Sequence, residues 1–464
     1  MKESTRLFLG ASIAAAITSL PAAANANGRF PGATQLVITG KTAALATSFG
    51  IVATTDMFAT SRWFCEGSVG LDALQNNAVG QALFADGSLI LSTTQGLFAG
   101  NIGGCTTSAI GGVVQGQTMS DVSVSKTTPN NGIAVVRGPS NGTCAGVLVE
   151  TTDSGRTWSA LGSPLPADFC PFTIDYGAGD GTLYVSGNAL GNTTTLEGQL
   201  LFSTDRGTTW NVRTIPNAPR PFIAAVDPVD PKVVYVRTLE PPNSGDLLVT
   251  TDGGNGFRHI ATLGGVALQY FGATGVALSP DGSRLAYGSP TDGLFVMQDP
   301  KSPSAMPVKR NALSVGCLQW TNEGLYACSL PKACGPFVVG RSADEGATFT
   351  PVLATFDRLG DDSACGASTQ VGGQCAGAWA AVQARLPVCS DAGASDGGDG
   401  GDGGDGGDAM ASADAEPGPV VAWGCAVTGD DEGHGAGLLA VVGLVLASVL
   451  RARRRSVGGL GFRR

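Results

Sequence analysis

From Phe172 onward the chain breaks into apolar runs of five to seven residues, each ended by a turn. One set reads "FTIDY", "TLYVSG" and "QLLFST"; the next reads "FIAAVDP", "KVVYVRT" and "DLLVTT"; a third reads "GVALSP", "RLAYGS" and "GLFVM". Runs this short, rich in β-branched and aromatic residues, mark strands and not helices. The segments between them, "GAGDGT", "DPVDPK" and "SPDGSR", carry the Gly, Pro and Asp that tight turns require. A polar octapeptide follows the third run of a set, and a fourth run follows that, as in "TWNVRTI" and "GFRHIATL". Each set therefore predicts a four-stranded antiparallel meander.

The octapeptides set the period. "TTDSGRTW" ends at Trp158, "STDRGTTW" at Trp210, "TTDGGNGF" at Phe257 and "SADEGATF" at Phe349. Their acids, Asp153, Asp205, Asp252 and Asp344, are spaced by 52, 47 and 92 residues. The last step is about two repeats, and Asp299 in "VMQDPKS" fills it; Asn101 and Asp56 extend the series backwards. These three are degenerate copies. Seven positions at steps of 45 to 52 residues predict an all-β, seven-bladed β-propeller over residues 27–353. One meander cannot bury both faces; seven around an axis can.

The octapeptide resembles the Asp-box of the bacterial neuraminidase repeat, found in sialidases, sortilin-like ectodomains and photosystem assembly factors. The resemblance implies a hairpin turn between the third and fourth strands of a blade, on the face opposite the ligand pocket. The carboxylate accepts backbone N–H groups of its own turn. Gly155, Gly207, Gly254 and Gly346 take a left-handed conformation, and Trp158, Trp210, Phe257 and Phe349 plug the space between sheets. The motif is thus a building part. The first repeat, "NGRFPGATQLV", "TSFGIVATTD" and "RWFCEGSVG", also resembles the start of secreted repeat propellers of myxobacteria.

Composition narrows the function. Charged residues make up 14% of 464, and Gly numbers 69, which suits many tight turns. The net charge of −10 comes from residues 391–432, which hold eleven acids and no base. With no basic stripe elsewhere, nucleic acid is excluded as a partner. The two histidines, His259 and His434, lie in different regions, so no metal or other cofactor is expected. Lys2 and Arg6, the apolar "LFLGASIAAAITSL" and the small-residue "AAANA" ending at Ala26 read as a signal peptide over residues 1–26. Export favours disulfides. Of eleven cysteines, Cys317 and Cys328 fall opposite each other when Trp320 is paired with Leu325. Cys65 and Cys105, at equivalent places in repeats one and two, are expected to staple neighbours, and Cys144 and Cys170 to flank the outer strands of repeat three. Cys334, Cys365, Cys375 and Cys389 remain, the last three in a short helical cap over residues 354–390.

Beyond Ser390 the pattern changes. Residues 391–424 place Asp at every third position among glycines; without apolar positions to build a core, this reads as a solvated linker and not a calcium repeat. Residues 425–464 open with the leftover Cys425, carry an apolar helix at Gly435–Leu450 and close with Arg451, Arg453, Arg454 and Arg455. This order resembles the myxobacterial C-terminal sorting signal. The resemblance implies transient membrane association, cleavage by a sorting protease, processing or lipidation at Cys425, and display on the cell surface or outer membrane. A plain transmembrane anchor is the alternative.

Two functions compete. One is a noncatalytic module that binds a glycan or protein, with no catalytic residues. The other is an exo-glycosidase of sialidase type, which needs three convergent arginines, a Tyr–Glu pair and an Asp acid. That family's opening motif is only echoed by Arg29-Phe30-Pro31. Asp175 in "FTIDY" reads as a hydrogen-bond acceptor near a turn, and Tyr270 in "LQYFG" as a packed aromatic. The side chains lining the axial channel at the end opposite the octapeptide turns decide between the two: three arginines there favour the glycosidase, a ring of small and apolar residues the binding module.

Overall fold

A computed structural model of the chain describes residues 33–386, apart from 71–79, 139–143, 145, 191–196, 219, 240–243, 265–273, 330–335, 357, 358, 360–364 and 385. The signal peptide, Tyr270, Cys334, Cys389, the Gly/Asp linker, Cys425 and the Gly435–Leu450 helix lie outside the described residues. Among the described residues no helix is long and apolar enough to cross a membrane.

The described residues contain seven four-stranded antiparallel sheets, each a meander built from one continuous stretch of chain. Their innermost strands are Ala33–Thr39, Gly80–Leu83, Met119–Val124, Phe169–Gly177, Pro221–Val226, Gly275–Leu278 and Val315–Thr321, in blades one to seven. Each inner strand packs beside the inner strands of the blades before and after it, and blade seven packs on blade one. The ring is therefore closed, and the protein is a seven-bladed β-propeller.

The second strands explain the apolar runs. Tyr184, Tyr235, Tyr287 and Tyr326 occupy this strand in blades four to seven, each at most 1% exposed. Their rings fill the space between sheets, where small residues on the inner strand leave room. Leu, Val and Ile from facing sheets complete one apolar layer per seam.

Among the described residues no strand is exchanged between the first and last blades. The chain after Leu353 instead crosses back over blade one. Phe356 meets Phe49 edge-on at 5.0 Å, and Trp379 meets Trp63 at 5.1 Å. Two short helices, α1 (Gln370–Cys375) and α2 (Ala378–Gln383), follow. Cys375 is bonded to Cys65 in blade one, and Cys365 to Cys105 in blade two. The expected Cys65–Cys105 staple is thus not formed; each cysteine is taken by the C-terminal cap. Cys144 is bonded to Cys170, which lies on the inner strand of blade four, so this bond ties blades three and four instead of flanking the outer strands of blade three. Cys317 is bonded to Cys328 across the first two strands of blade seven. Thiol titration of the denatured, unreduced protein lacking its tail is expected to find none of these eight free; two or more reactive thiols among them rule the pairing out.

Candidate functional site: the axial cavity and the faces around it

The aspartate turns define one face of the ring. In blade four Ser203 and Thr209 hydroxyls donate to the two oxygens of Asp205, each at 2.7 Å, and Thr209 N–H donates at 2.9 Å. Gly207 N–H donates to Ser203 Oγ at 2.7 Å, and Gly207 has φ 78°. Asp153 and Asp344 lie in the same arrangement, and Asp252 in all but the second hydroxyl, since Gly256 stands where Thr209 does; Gly155, Gly254 and Gly346 have φ 84°, 93° and 85°. Trp158, 9% exposed, enters the seam between blades two and three and donates Nε1–H to Gly155 C=O at 3.0 Å. Trp210, Phe257 and Phe349 pack against the corresponding cores.

Asp56 is degenerate in sequence only. Thr54 and Thr60 hydroxyls reach its carboxylate at 2.7 Å, and Thr60 N–H at 2.8 Å. Met57 and Phe58 take the left-handed positions, at φ 57° and 68°. Asn101 keeps part of the set, accepting Gly104 N–H on Oδ1 at 2.9 Å. The Asp299 turn is closed by backbone, Ser302 N–H donating to Asp299 C=O at 2.9 Å.

These bonds hold the turn carboxylates ionised. The Thr209 N–H, the Ser203 hydroxyl and the Thr209 hydroxyl bring Asp205 down to about 2. A depressed pKa contributes stability above the unfolded value of about 3.9 that is lost as pH falls through the folded value. Asp205→Ala is expected to lower the melting temperature by a few degrees at pH 7, and the deficit to shrink as pH falls from about 4 to about 2. A deficit independent of pH contradicts the hydrogen-bond account.

Five of the turns are bonded to the first hairpin of their own blade. Met57 N–H donates to Lys41 C=O, Ser154 to Asn130, Arg206 to Gly181, Gly253 to Lys232 and Asp299 to Ser283. The first hairpins, the aspartate turns and the C-terminal ends of the inner strands therefore share one face.

A cavity of about 650 Å³ opens on this face along the axis. All seven inner strands line it from about their middle to their C-terminal ends, from Leu36–Thr39 in blade one to Leu318–Trp320 in blade seven. The Asp-box resemblance places a ligand pocket on the opposite face, so this cavity is a different one from the pocket that the resemblance implies. The described lining is mostly Val, Leu, Ala and Ser, with one cation, Lys126, one anion, Asp175, and no arginine. Lys126 Nζ lies 3.6 Å from Asp175 Oδ2 and donates to Val226 C=O of blade five at 2.9 Å. Asp175 accepts Ser123 Oγ–H at 2.7 Å and Tyr176 N–H at 2.8 Å. It joins blades three and four as an acceptor. Asp180 at the rim does the same, accepting the hydroxyls of Ser125 and Thr127.

Sequence reading missed Asp121, two residues before Ser123 on the inner strand of blade three and so on the same side of it. Asp121 accepts Ile174 N–H of blade four at 3.0 Å. Gly80 of blade two leaves it room, since a Cβ there meets Asp121 Oδ1 at 2.1 Å. Burial pushes this carboxyl up to about 8 against the bonds from Ile174 and Val122 N–H; Asp175 adds to the rise and Arg237 opposes it. The available signal was an acid within the inner-strand run "MSDVSV", at a position where the other repeats place small or apolar residues.

Among the described residues no group of three or more His, Cys, Asp or Glu side chains is placed to hold a metal. His259 lies on the outermost strand of blade five, 3.1 Å from Asp246 and away from the axis.

No protein-family model matches the chain, and no curated protein matches it in sequence. Among solved structures, a GH74 enzyme of Niastella koreensis is 17% identical over 69% of this chain, with a TM-score of 0.44; the chain spans 58% of that protein. Hydrazine synthase of Kuenenia stuttgartiensis is 14% identical, over 68% of this chain and 96% of its own, with a TM-score of 0.48. The GH74 xyloglucanase from Xanthomonas campestris is 14% identical, over 69% and 68%, with a TM-score of 0.35. These likenesses bring no activity to the chain.

Proposed function

We propose that the protein is an exported, surface-displayed, noncatalytic β-propeller that binds a glycan or protein ligand in its axial cavity. The observation that carries this reading is the cavity lining. Apart from Gln81 and Gln319, whose amides donate to backbone carbonyls, its uncharged described side chains are small, apolar or hydroxylic, and its single ion pair, Lys126–Asp175, is spent on joining blades. Such a wall suits an uncharged or weakly polar ligand segment, held by shape and a few hydrogen bonds. The aspartate turns support kinship with the Asp-box repeat, in the role of a structural turn.

The tail completes the proposal. The signal peptide exports the chain, the Gly/Asp stretch is a spacer, and Cys425 with the following apolar and arginine segments is a sorting signal. Intact-mass analysis of surface material from the native host tests this. The mature protein is expected to end near Cys425; surface protein still carrying Arg464 replaces the sorting signal by a simple anchor.

The second reading, an exo-glycosidase, draws on one observation. Asp121 is a carboxyl whose burial keeps it protonated near neutrality, the state of a general acid. Against it, Asp175 in the wall accepts Tyr176 N–H, Asp121 accepts Ile174 N–H and is not among the described lining residues, and no arginine lines this cavity among the described residues to receive an acidic sugar.

Arrays of glycans and extracellular matrix proteins, probed with the full mature chain and with Lys126→Glu, test the binding reading. Retention of one ligand class, weakened by the substitution at the cavity mouth, is expected. Retention unaffected by Lys126→Glu moves the ligand elsewhere on the molecule.

A further inference from the structure

The hydroxyls in the described lining of the axial cavity have each given their proton to the protein. Thr39 donates to Leu83 C=O at 3.2 Å, Ser123 to Asp175 at 2.7 Å, Ser125 to Asp180, and Ser279 to Asp281 at 2.5 Å. The Gln81 amide donates both hydrogens, to Gln35 C=O at 3.0 Å and Ala44 C=O at 3.3 Å, and the Gln319 amide donates to Ile38 C=O. Asp175 cancels the charge of Lys126. The described wall therefore has no net charge and few protons to give. Between these groups stand Val37, Val124, Ala224, Ala225, Val276 and Leu278, all lining the cavity and all half-buried.

The apolar surface continues onto the rim. Pro228 and Pro280 line the cavity from the first hairpins of blades five and six, and Val229, in the former hairpin, is 67% exposed. The two hairpins adjoin, since a Cβ on Gly282 meets Asp227 Oδ2 at 2.7 Å. An apolar lip beside a recessed apolar wall is the mark of an interaction surface.

The hydrogen-bond account selects the occupant. A sugar hydroxyl brings one proton and two lone pairs. Against this wall its proton finds acceptors, while its lone pairs go largely unmatched, which penalises burial. A lipid headgroup needs free charge at the mouth, and Lys126, the one cation among the described lining residues, is already paired. Side chains of the Leu, Met or Phe type need neither protons nor charge. The backbone that carries them can stay at the mouth, where the exposed Lys126 ammonium gives one hydrogen to Val226 C=O and keeps others for a carbonyl.

We propose that the axial cavity is the docking site of a protein partner that inserts uncharged apolar side chains from a protruding turn, with a backbone carbonyl of that turn on Lys126 and its flank on the lip of Pro228, Val229 and Pro280. The proposal rests on the reading of the axial cavity as the ligand site and decides between the glycan and the protein left open there.

Selection of a displayed library of disulfide-closed nonapeptides on the full mature chain, followed by calorimetric titration with the enriched peptides, tests it. The enriched peptides are expected to share adjacent Leu, Met or Phe residues at the tip, and Ser at those places to weaken binding about tenfold or more. Val276→Glu, which puts a charge into the wall, should weaken them likewise. Val229→Asp, on the exposed lip, should weaken them about threefold or more and covers the case in which Val276→Glu does not fold. Lys126→Glu should weaken them as well. If the enriched peptides are polar or charged, or bind the folded variants at Val276 and Val229 as tightly as the parent, the apolar docking site is wrong. If only array glycans or phosphatidylglycerol vesicles are retained, and Lys126→Glu weakens them, the partner class is wrong and the axial reading stands. If no peptide, glycan or vesicle depends on Lys126 or Val276, both readings fall.

Discussion

Replacing Cys65, Cys105, Cys365 and Cys375 together by alanine is expected to lower the melting temperature by about 7–10 °C while the blades keep their strands. The reason is the way the ring is closed. Blades one and seven are each made from one stretch of chain, so among the described residues no strand ladder joins them; inner-strand packing and a hydrogen bond from Gln319 Nε2–H to Ile38 C=O at 3.2 Å do. The cap covers this joint and adds bonds spanning 310 and 260 residues. In the chain-entropy account, closing a loop of that length stabilises by about 5 kcal/mol. The second bond closes only the short segments left beside the first, so the two are not additive. Removing the Cys144–Cys170 bond, which spans 26 residues, should cost less, about 3 kcal/mol. A fourfold variant that melts within 2 °C of the parent, roughly the effect of a surface change, contradicts the cap as closure.

The second large effect is a pH dependence set by Asp121. Its carboxyl is raised to about 8, chiefly by burial, while an unfolded aspartate titrates near 3.9. Below pH 4 both states hold the proton and no penalty exists. Between pH 4 and 8 the unfolded chain gives the proton up and the folded chain keeps it, so stability is lost as pH rises. The limiting slope is about 1.4 kcal/mol per pH unit, and the residual exposure of Asp121 lowers it. Asp121→Asn keeps an acceptor for Ile174 N–H and removes the titration. The variant is expected to match the parent at pH 4 and to exceed it in melting temperature at pH 8. Parallel curves for parent and variant across this range contradict the assignment.

The architecture was legible because it repeats. A tyrosine on the second strand, an aspartate turn after the third and a Gly two residues later recur at the blade period, and each repeat agrees with the next. The Cys317–Cys328 bond was legible for a related reason, since the pairing of Trp320 with Leu325 sets the local register. What repeats at no period was hidden. The partners of Cys65 and Cys105 lie in the C-terminal cap, 310 and 260 residues away along the chain, and nothing near either cysteine marks them. Asp56 looked degenerate because Gly is replaced by Phe58, yet Thr54 and Thr60 supply the full set of bonds around its carboxylate. Asp121 was hidden because its character comes from Ile174 and Gly80 in two other blades. The position of the cavity depends on all seven inner strands at once, and no single repeat encodes it.

The central functional claim is that the axial cavity binds and does not cut. Incubating the full mature chain with fluorogenic sialosides, glucosides and xylosides, and with oligosaccharides, measures this directly. The account predicts release no faster than in buffer, and oligosaccharides recovered at their original length while binding stays sensitive to Lys126→Glu. Turnover by the parent that is abolished by Asp121→Asn or Asp175→Asn contradicts it, and makes those two carboxyl groups the machinery of a glycosidase.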